Sequence, residues 1–209
     1  MSYLTAPSAF QLPAGRGTYQ TSYLLIHTTS IGLSRHLSVG GGVELLSPLL
    51  AEKGPFAPFI LLHAKAGRQL ARRFHVGASA AIWRSISEVS SARQLLLMQA
   101  LGTYGQANRH ATVGIGWGWA ALTEAASGRL QFEPRPIISL SGISHLSGRW
   151  ALLTENRMLP TNDGYLIVYG YGVRLSGKRL ALDLALLNSK DLSALFIAGV
   201  PFVKLAVRL

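Results

Sequence analysis

Lys178-Arg179-Leu180-Ala181-Leu182-Asp183-Leu184-Ala185-Leu186-Leu187-Asn188 places Leu180, Leu182, Leu184 and Leu186 at every second position, against Arg179, Ala181, Asp183 and Ala185. Side chains alternate across a strand with period two, so one face is wholly apolar and the other small or charged. The same code recurs in 109–121, where Ala111, Val113, Ile115, Trp117, Trp119 and Ala121 oppose His110, Thr112, Gly114, Gly116, Gly118 and Ala120. It recurs again at 37–45, 73–83, 165–174 and 203–209, and less cleanly at 17–33, 57–68, 94–105, 135–145 and 149–157. No helical periodicity of comparable length competes. Eleven strands follow, with a weaker twelfth at 2–11, where Pro7 interrupts the pattern.

Composition decides which solvent the apolar face meets. Charged residues are 14% of the 209, against about 25% in soluble domains, and mean hydropathy is +0.29. Gly, Ser, Ala and Thr with a few charges make a poor soluble exterior. Inverted, the pattern fits a barrel with its apolar face toward lipid and its small and polar face toward a lumen. A transmembrane helix is excluded because no run of 18 apolar residues occurs. The chain carries no cysteine, which rules out disulfides and thiolate metal sites.

Connection lengths add topology. Tight joins at 34–36, 69–72, 106–109, 146–149 and 176–179 alternate with longer ones around 46–56, 85–93, 122–134, 158–164 and 188–194. Short turns on the periplasmic side and longer loops outside are the habit of outer-membrane barrels. An even strand count then needs the segment 2–11 as an upward strand. We therefore expect one domain, residues 1–209: an all-β, closed, antiparallel up-and-down transmembrane β-barrel of about twelve strands, with ten as the alternative. Tyr19, Tyr23, Trp117, Trp119, Trp150, Tyr165 and Tyr171 fall on the expected lipid face, as in an interfacial girdle.

These pieces together resemble a family of uncharacterised outer-membrane β-barrel proteins of Gram-negative bacteria. The resemblance is carried by Pro7-Ser8-Ala9-Phe10, Ser38-Val39-Gly40-Gly41-Gly42, Thr103-Tyr104-Gly105, Val113-Gly114-Ile115-Gly116, Leu153-Thr154-Glu155-Asn156, Tyr171-Gly172-Val173-Arg174 and Gly199-Val200-Pro201-Phe202. It implies a bacterial outer-membrane location, with lipid bilayer, lipopolysaccharide and the barrel-assembly machinery as partners. One departure is the end of the chain, Ala206-Val207-Arg208-Leu209, which has Leu209 where such barrels usually carry an aromatic. Met1-Ser2-Tyr3-Leu4 shows no basic region before an apolar core, so we expect a signal peptide to have been cleaved or omitted.

Strand parity places Glu44, Lys65, Arg135, Glu155, Arg174, Asp183, Lys204 and Arg208 on the lumen face. The plain expectation is a polar network that braces the lumen; the sharper one is a cation-rich constriction passing a small anionic solute. The alternating glycines lack the strand–turn–helix setting of a nucleotide loop. His27, His36, His63, His75, His110 and His145 show no metal-ligand spacing, and no serine is paired with a histidine by spacing. Arg35, Arg72, Arg73, Arg109, Arg149, Lys178 and Arg179 gather at the short turns, placed for anionic headgroups rather than nucleic acid. We therefore expect a non-enzymatic barrel, a narrow pore or structural, with no cofactor, metal or nucleic acid. An outer-membrane enzyme acting on lipid or lipopolysaccharide, and a soluble barrel binding a hydrophobic ligand, are the alternatives.

Overall fold

The computed structural model describes residues 3–45, 58–85, 94–121, 131–132, 134–161, 164–189 and 199–209. Thirteen strands form: β1 (Gly17–Ser22), β2 (Ile26–Gly32), β3 (Leu37–Glu44), β4 (Phe59–Ala71), β5 (Phe74–Ser85), β6 (Gln94–Gln106), β7 (Arg109–Ala121), β8 (Gln131–Phe132), β9 (Ile137–Ser147), β10 (Trp150–Thr161), β11 (Gly164–Ser176), β12 (Leu180–Ser189) and β13 (Val200–Arg208). Each of twelve pairs antiparallel with its neighbours, and β1 meets β13 to close the ring. The two-residue β8 continues the place of β9 beside the far end of β7. Pro134 and Pro136 stand between them; without an N–H, proline interrupts a ladder.

The twelve-strand closed barrel is as expected, but its strands are not the expected twelve. The stretch 17–33 is a hairpin, β1–β2, turning at Tyr23 and Leu24, whose φ values are +53° and +59°. Two successive left-handed residues are the signature of a type I′ turn, which normally announces itself as Asn-Gly. Tyr23 and Leu24 disguise it. Tyr23 also leaves the outward face expected of it: its ring packs edge-on against Phe202 at 5.2 Å.

The segment 2–11 contributes no wall strand; its described part runs inside the barrel. A second correction is the join at 158–164, where β10 reaches Thr161 and β11 starts at Gly164. The remaining expected long joins lie largely outside the described residues. At the opposite end, tight connections at 33–36, 72–73, 107–108, 148–149 and 177–179 define a short-turn rim.

Burial follows the alternation with its usual sense reversed. On β12, Leu184 is 45% exposed while its neighbour Asp183 is 1% exposed; on β9, Leu140 is 51% exposed and Ser141 2%. Val113, Ile115, Trp117, Leu152, Ile167, Tyr171 and Val203 are likewise exposed, and Thr103, Thr112, Ser139, Glu155 and Lys204 are buried.

Candidate functional site

The buried polar residues enclose the chain's own N-terminal segment. Tyr3, Leu4, Ala6, Ser8 and Ala9 are all fully covered. Their backbone polar groups have no strand to pair with and must find partners among wall side chains. Glu155 accepts from the Thr5 and Ala6 amides, each at 2.9 Å, and from the Thr5 hydroxyl at 2.5 Å. Lys65 donates to the Ser8 and Phe10 carbonyls at 3.1 and 2.5 Å. Lys204 donates to the carbonyls of Tyr3 and Leu4.

Hydroxyls connect the two halves of the segment. Tyr3 shares a 2.6 Å hydrogen bond with Thr112, Thr112 shares another of 2.6 Å with Thr103, and Thr103 accepts from the Ala9 amide at 2.9 Å. Burial pushes the Tyr3 phenol up to about 12, so at neutral pH it remains a protonated partner in this relay. Phe10 packs on His75 and, nearly perpendicular, on His110, with ring centroids 4.5 and 4.8 Å apart. Ser38 donates to the Gln11 side-chain carbonyl at 3.1 Å.

The wall makes close room for the segment. A side chain at Gly67 would put its Cβ 2.6 Å from Gln11 Nε2 and 2.9 Å from the Ala9 carbonyl. At Gly32 it would meet the Pro13 carbonyl at 2.3 Å, where the chain crosses the short-turn rim. The Gly15 amide donates to Gly32 there, and β1 begins two residues later.

Five of the eight expected lumen residues join in this arrangement. Arg174, Asp183 and Lys204 lie in one register row across β11, β12 and β13. Arg174 grips Asp183 with both ends of its guanidinium, at 2.6 and 2.8 Å, and Lys204 stands 3.1 Å from Asp183 Oδ2. Asp183 thus holds Lys204 beneath the Tyr3 and Leu4 carbonyls, while Lys65 and Glu155 act directly on the segment. The other three lie apart. Glu44 ends β3 and Arg135 precedes β9, both toward the far end, where Arg135 donates to the Gly164 carbonyl at 3.3 Å. Arg208 is exposed at the short-turn rim, paired in register with Thr18.

Sequence reasoning missed Thr103, Thr112, Ser38, His75 and His110 as parts of the site. All but Thr103 were already on the small-residue face by parity; their uncharged side chains gave no reason to single them out. Two histidine pairs also emerge. Ser30 and His63 share a 2.9 Å hydrogen bond in the lumen, and Tyr19 and His27 one of 2.6 Å on the outer face. Neither imidazole makes a further hydrogen bond to a carboxylate among the described residues, the orienting group that Ser–His chemistry requires.

Comparison with family models, with curated proteins and with solved structures finds no match to this chain. The arrangement is a barrel whose short-turn half is filled by an uncharged stretch of its own chain, clamped by buried charges from separate strands.

Proposed function

We propose that this chain is an integral outer-membrane β-barrel, non-enzymatic, whose narrow lumen is held closed by its N-terminal segment. The inverted partition of side chains carries the reading. An exterior of Leu, Ile, Val, Trp and Tyr around a buried polar interior has no stabilising logic in water, where it exposes a continuous apolar surface. In hydrocarbon it is the stable arrangement, and a closed barrel satisfies every wall backbone group internally. Exposed aromatics agree: Phe74, Tyr104 and Trp150 lie toward the short-turn end, and Trp117 and Tyr165 toward the other.

The charge distribution supports one orientation. The short-turn rim exposes the seven expected cations together with Arg16, Arg68 and Arg208, and the described carboxylates, Glu44, Glu155 and Asp183, belong to the lumen-facing rows. A cationic rim suits the anionic headgroups of a periplasmic leaflet, with lipopolysaccharide at the far end and the assembly machinery as the partner that inserts the chain. The family resemblance in the sequence favours the same setting. Solute passage would require the N-terminal segment to move.

Reconstitution tests this. The purified chain is expected to require detergent or lipid, to insert into planar bilayers, and to stay nearly silent under voltage. A chain that stays monomeric in plain buffer would overturn the membrane reading; a steady open conductance would overturn the closed lumen.

A further inference from the structure

The lumen has two tiers of opposite chemistry. Toward the short turns its inward rows carry Ser38, Lys65, His75, Thr103 and Glu155, all engaged with the N-terminal segment or packed on it. Farther along the same rows large apolar side chains take over, with Gln99 and Ser85 set among them: Leu61 on β4, Trp83 on β5, Leu97 on β6, Leu159 on β10, Val168 on β11. Their inward direction follows from strand alternation with Lys65, His75, Thr103, Glu155 and Gly170, whose Cβ would meet Leu4 at 2.9 Å. Apart from Leu61 they are only half-buried, and Leu95, on the same row as Leu97, is 43% exposed. A water-filled pore has no use for such a lining, since every apolar Å² left wet costs roughly 25 cal/mol. The floor of this tier is apolar too, made by Tyr3, Leu4 and Phe202 with Leu187 packed against them.

One charge breaks the apolar lining near that floor. Arg157 sits two residues beyond Glu155 on the same inward row, with Nε 3.0 Å from Glu155 Oε1 but out of hydrogen-bonding direction. Its side chain is 21% exposed. Glu155 is already committed to Thr5 and Ala6, so the guanidinium keeps hydrogen-bonding capacity toward the space above. Ser139, directly opposite on β9, places a hydroxyl-bearing residue beside it.

We propose that this upper tier is a binding chamber for a single-chain anionic amphiphile, a long-chain fatty acid in its simplest form. Its carboxylate docks on Arg157 and its chain lies along Leu97, Leu159 and Val168. The Arg157 guanidinium selects an anionic head near the floor, with Arg135 and Glu44 lying farther out at the far end, and a charge-assisted bidentate pair fixes the head's position. A neutral head would leave the guanidinium with its ion pair to Glu155 but with no acceptor for its outward N–H groups. The chamber lies inside the barrel whatever surrounds it, so its failure is distinguishable from failure of the membrane reading.

Trp83 reports on the chamber, because the other tryptophans, Trp117, Trp119 and Trp150, are on the outer face. In a protein carrying Trp117→Phe, Trp119→Phe and Trp150→Phe, reconstituted in lipid discs, 9,10-dibromostearate is expected to quench Trp83 saturably, with stearate competing. Discs built from brominated phospholipid are expected to leave Trp83 largely unquenched, and the methyl ester of dibromostearate to bind far more weakly than the acid. Arg157→Gln should weaken acid binding roughly tenfold or more, and Arg157→Lys should recover part of the loss. Leu97→Trp, on β6 and away from the β10–β11 pair that carries Arg157, measured by competition against radiolabelled stearate, should block the chamber without touching the anchor. Non-saturable quenching, equal quenching by brominated phospholipid, or equal affinity for acid and ester would each overturn the proposal. So would unchanged affinity in a folded Arg157→Gln barrel.

Discussion

Glu155 holds Thr5 at both of its donors, the amide at 2.9 Å and the hydroxyl at 2.5 Å, and the two residues are 150 positions apart in the chain. Hydrogen bonds to a charged acceptor contribute about 1.5–3 kcal/mol each. Glu155→Ala leaves the Thr5 and Ala6 amides without their acceptor and should convert a silent barrel into one that flickers open in single-channel recordings. Removal of residues 3–12 should leave it permanently conducting. A shortened barrel that inserts and still blocks ions would sink the idea that this segment is the closure.

Two glycines of the wall separate contact from clash. At Gly67 an added methyl runs into Gln11, the Ala9 carbonyl and the Val76 carbonyl, the last two being backbone. At Gly170 it meets the ends of Leu187 and Leu4 side chains, which can turn aside. Gly67→Ala is expected to weaken docking of the segment by about 1–3 kcal/mol, while Gly170→Ala should be nearly tolerated. Protease access to residues 3–12 in the inserted barrel measures the difference, and equal cleavage of the two variants would contradict it.

Tyr3 supplies a pH signature. Its phenol is raised from 10 to about 12 by burial, so the folded state holds this proton more tightly than the unfolded one. The resulting stabilisation is fully present below pH 10 and is lost as pH rises through about 12. Absorbance titration of the seven tyrosines should show a late component near pH 12 that is lost in Tyr3→Phe. If Tyr3→Phe leaves the titration curve unchanged, Tyr3 is not held as described.

Leu184 tests the surroundings of the barrel. A lysine on the lipid face near the membrane middle costs about 2–4 kcal/mol, whereas on a water-exposed face it is close to neutral. Leu184→Lys should therefore lower the fraction that folds into vesicles, measured by the mobility shift of unheated samples. Improved yield and solubility without lipid would argue for water.

Period-two patterning was sufficient for the strands of 59–121 and 137–208, because each wall residue is committed to one of two unlike environments. It failed where backbone conformation, not side-chain environment, makes the structure. Tyr23 and Leu24 adopt a turn without turn residues, so 17–33 read as one strand. The segment 2–11 alternates well enough to suggest a strand, yet its backbone is paired by lysines, a glutamate and a threonine from the wall. Parity could place Lys65, Glu155 and Lys204 in the lumen, but nothing in a one-dimensional pattern says that their partner is the chain's own beginning. The neutrality of 3–12, ten residues without a charge in a chain of net +11, is the signal that could have found it.

The seam where β1 meets β13 is joined by five residue pairs, whereas β10 and β11 share twelve. A zipper this short is the natural place for the cylinder to be fastened last and to come apart first. Because only a few residues at 13–16 separate β1 from the segment inside, peeling β1 away from β13 would draw that segment out by its own tether. If the lumen opens at this seam, assembly and opening would be one mechanical event seen in two directions: the stave that completes the cask would also carry its stopper.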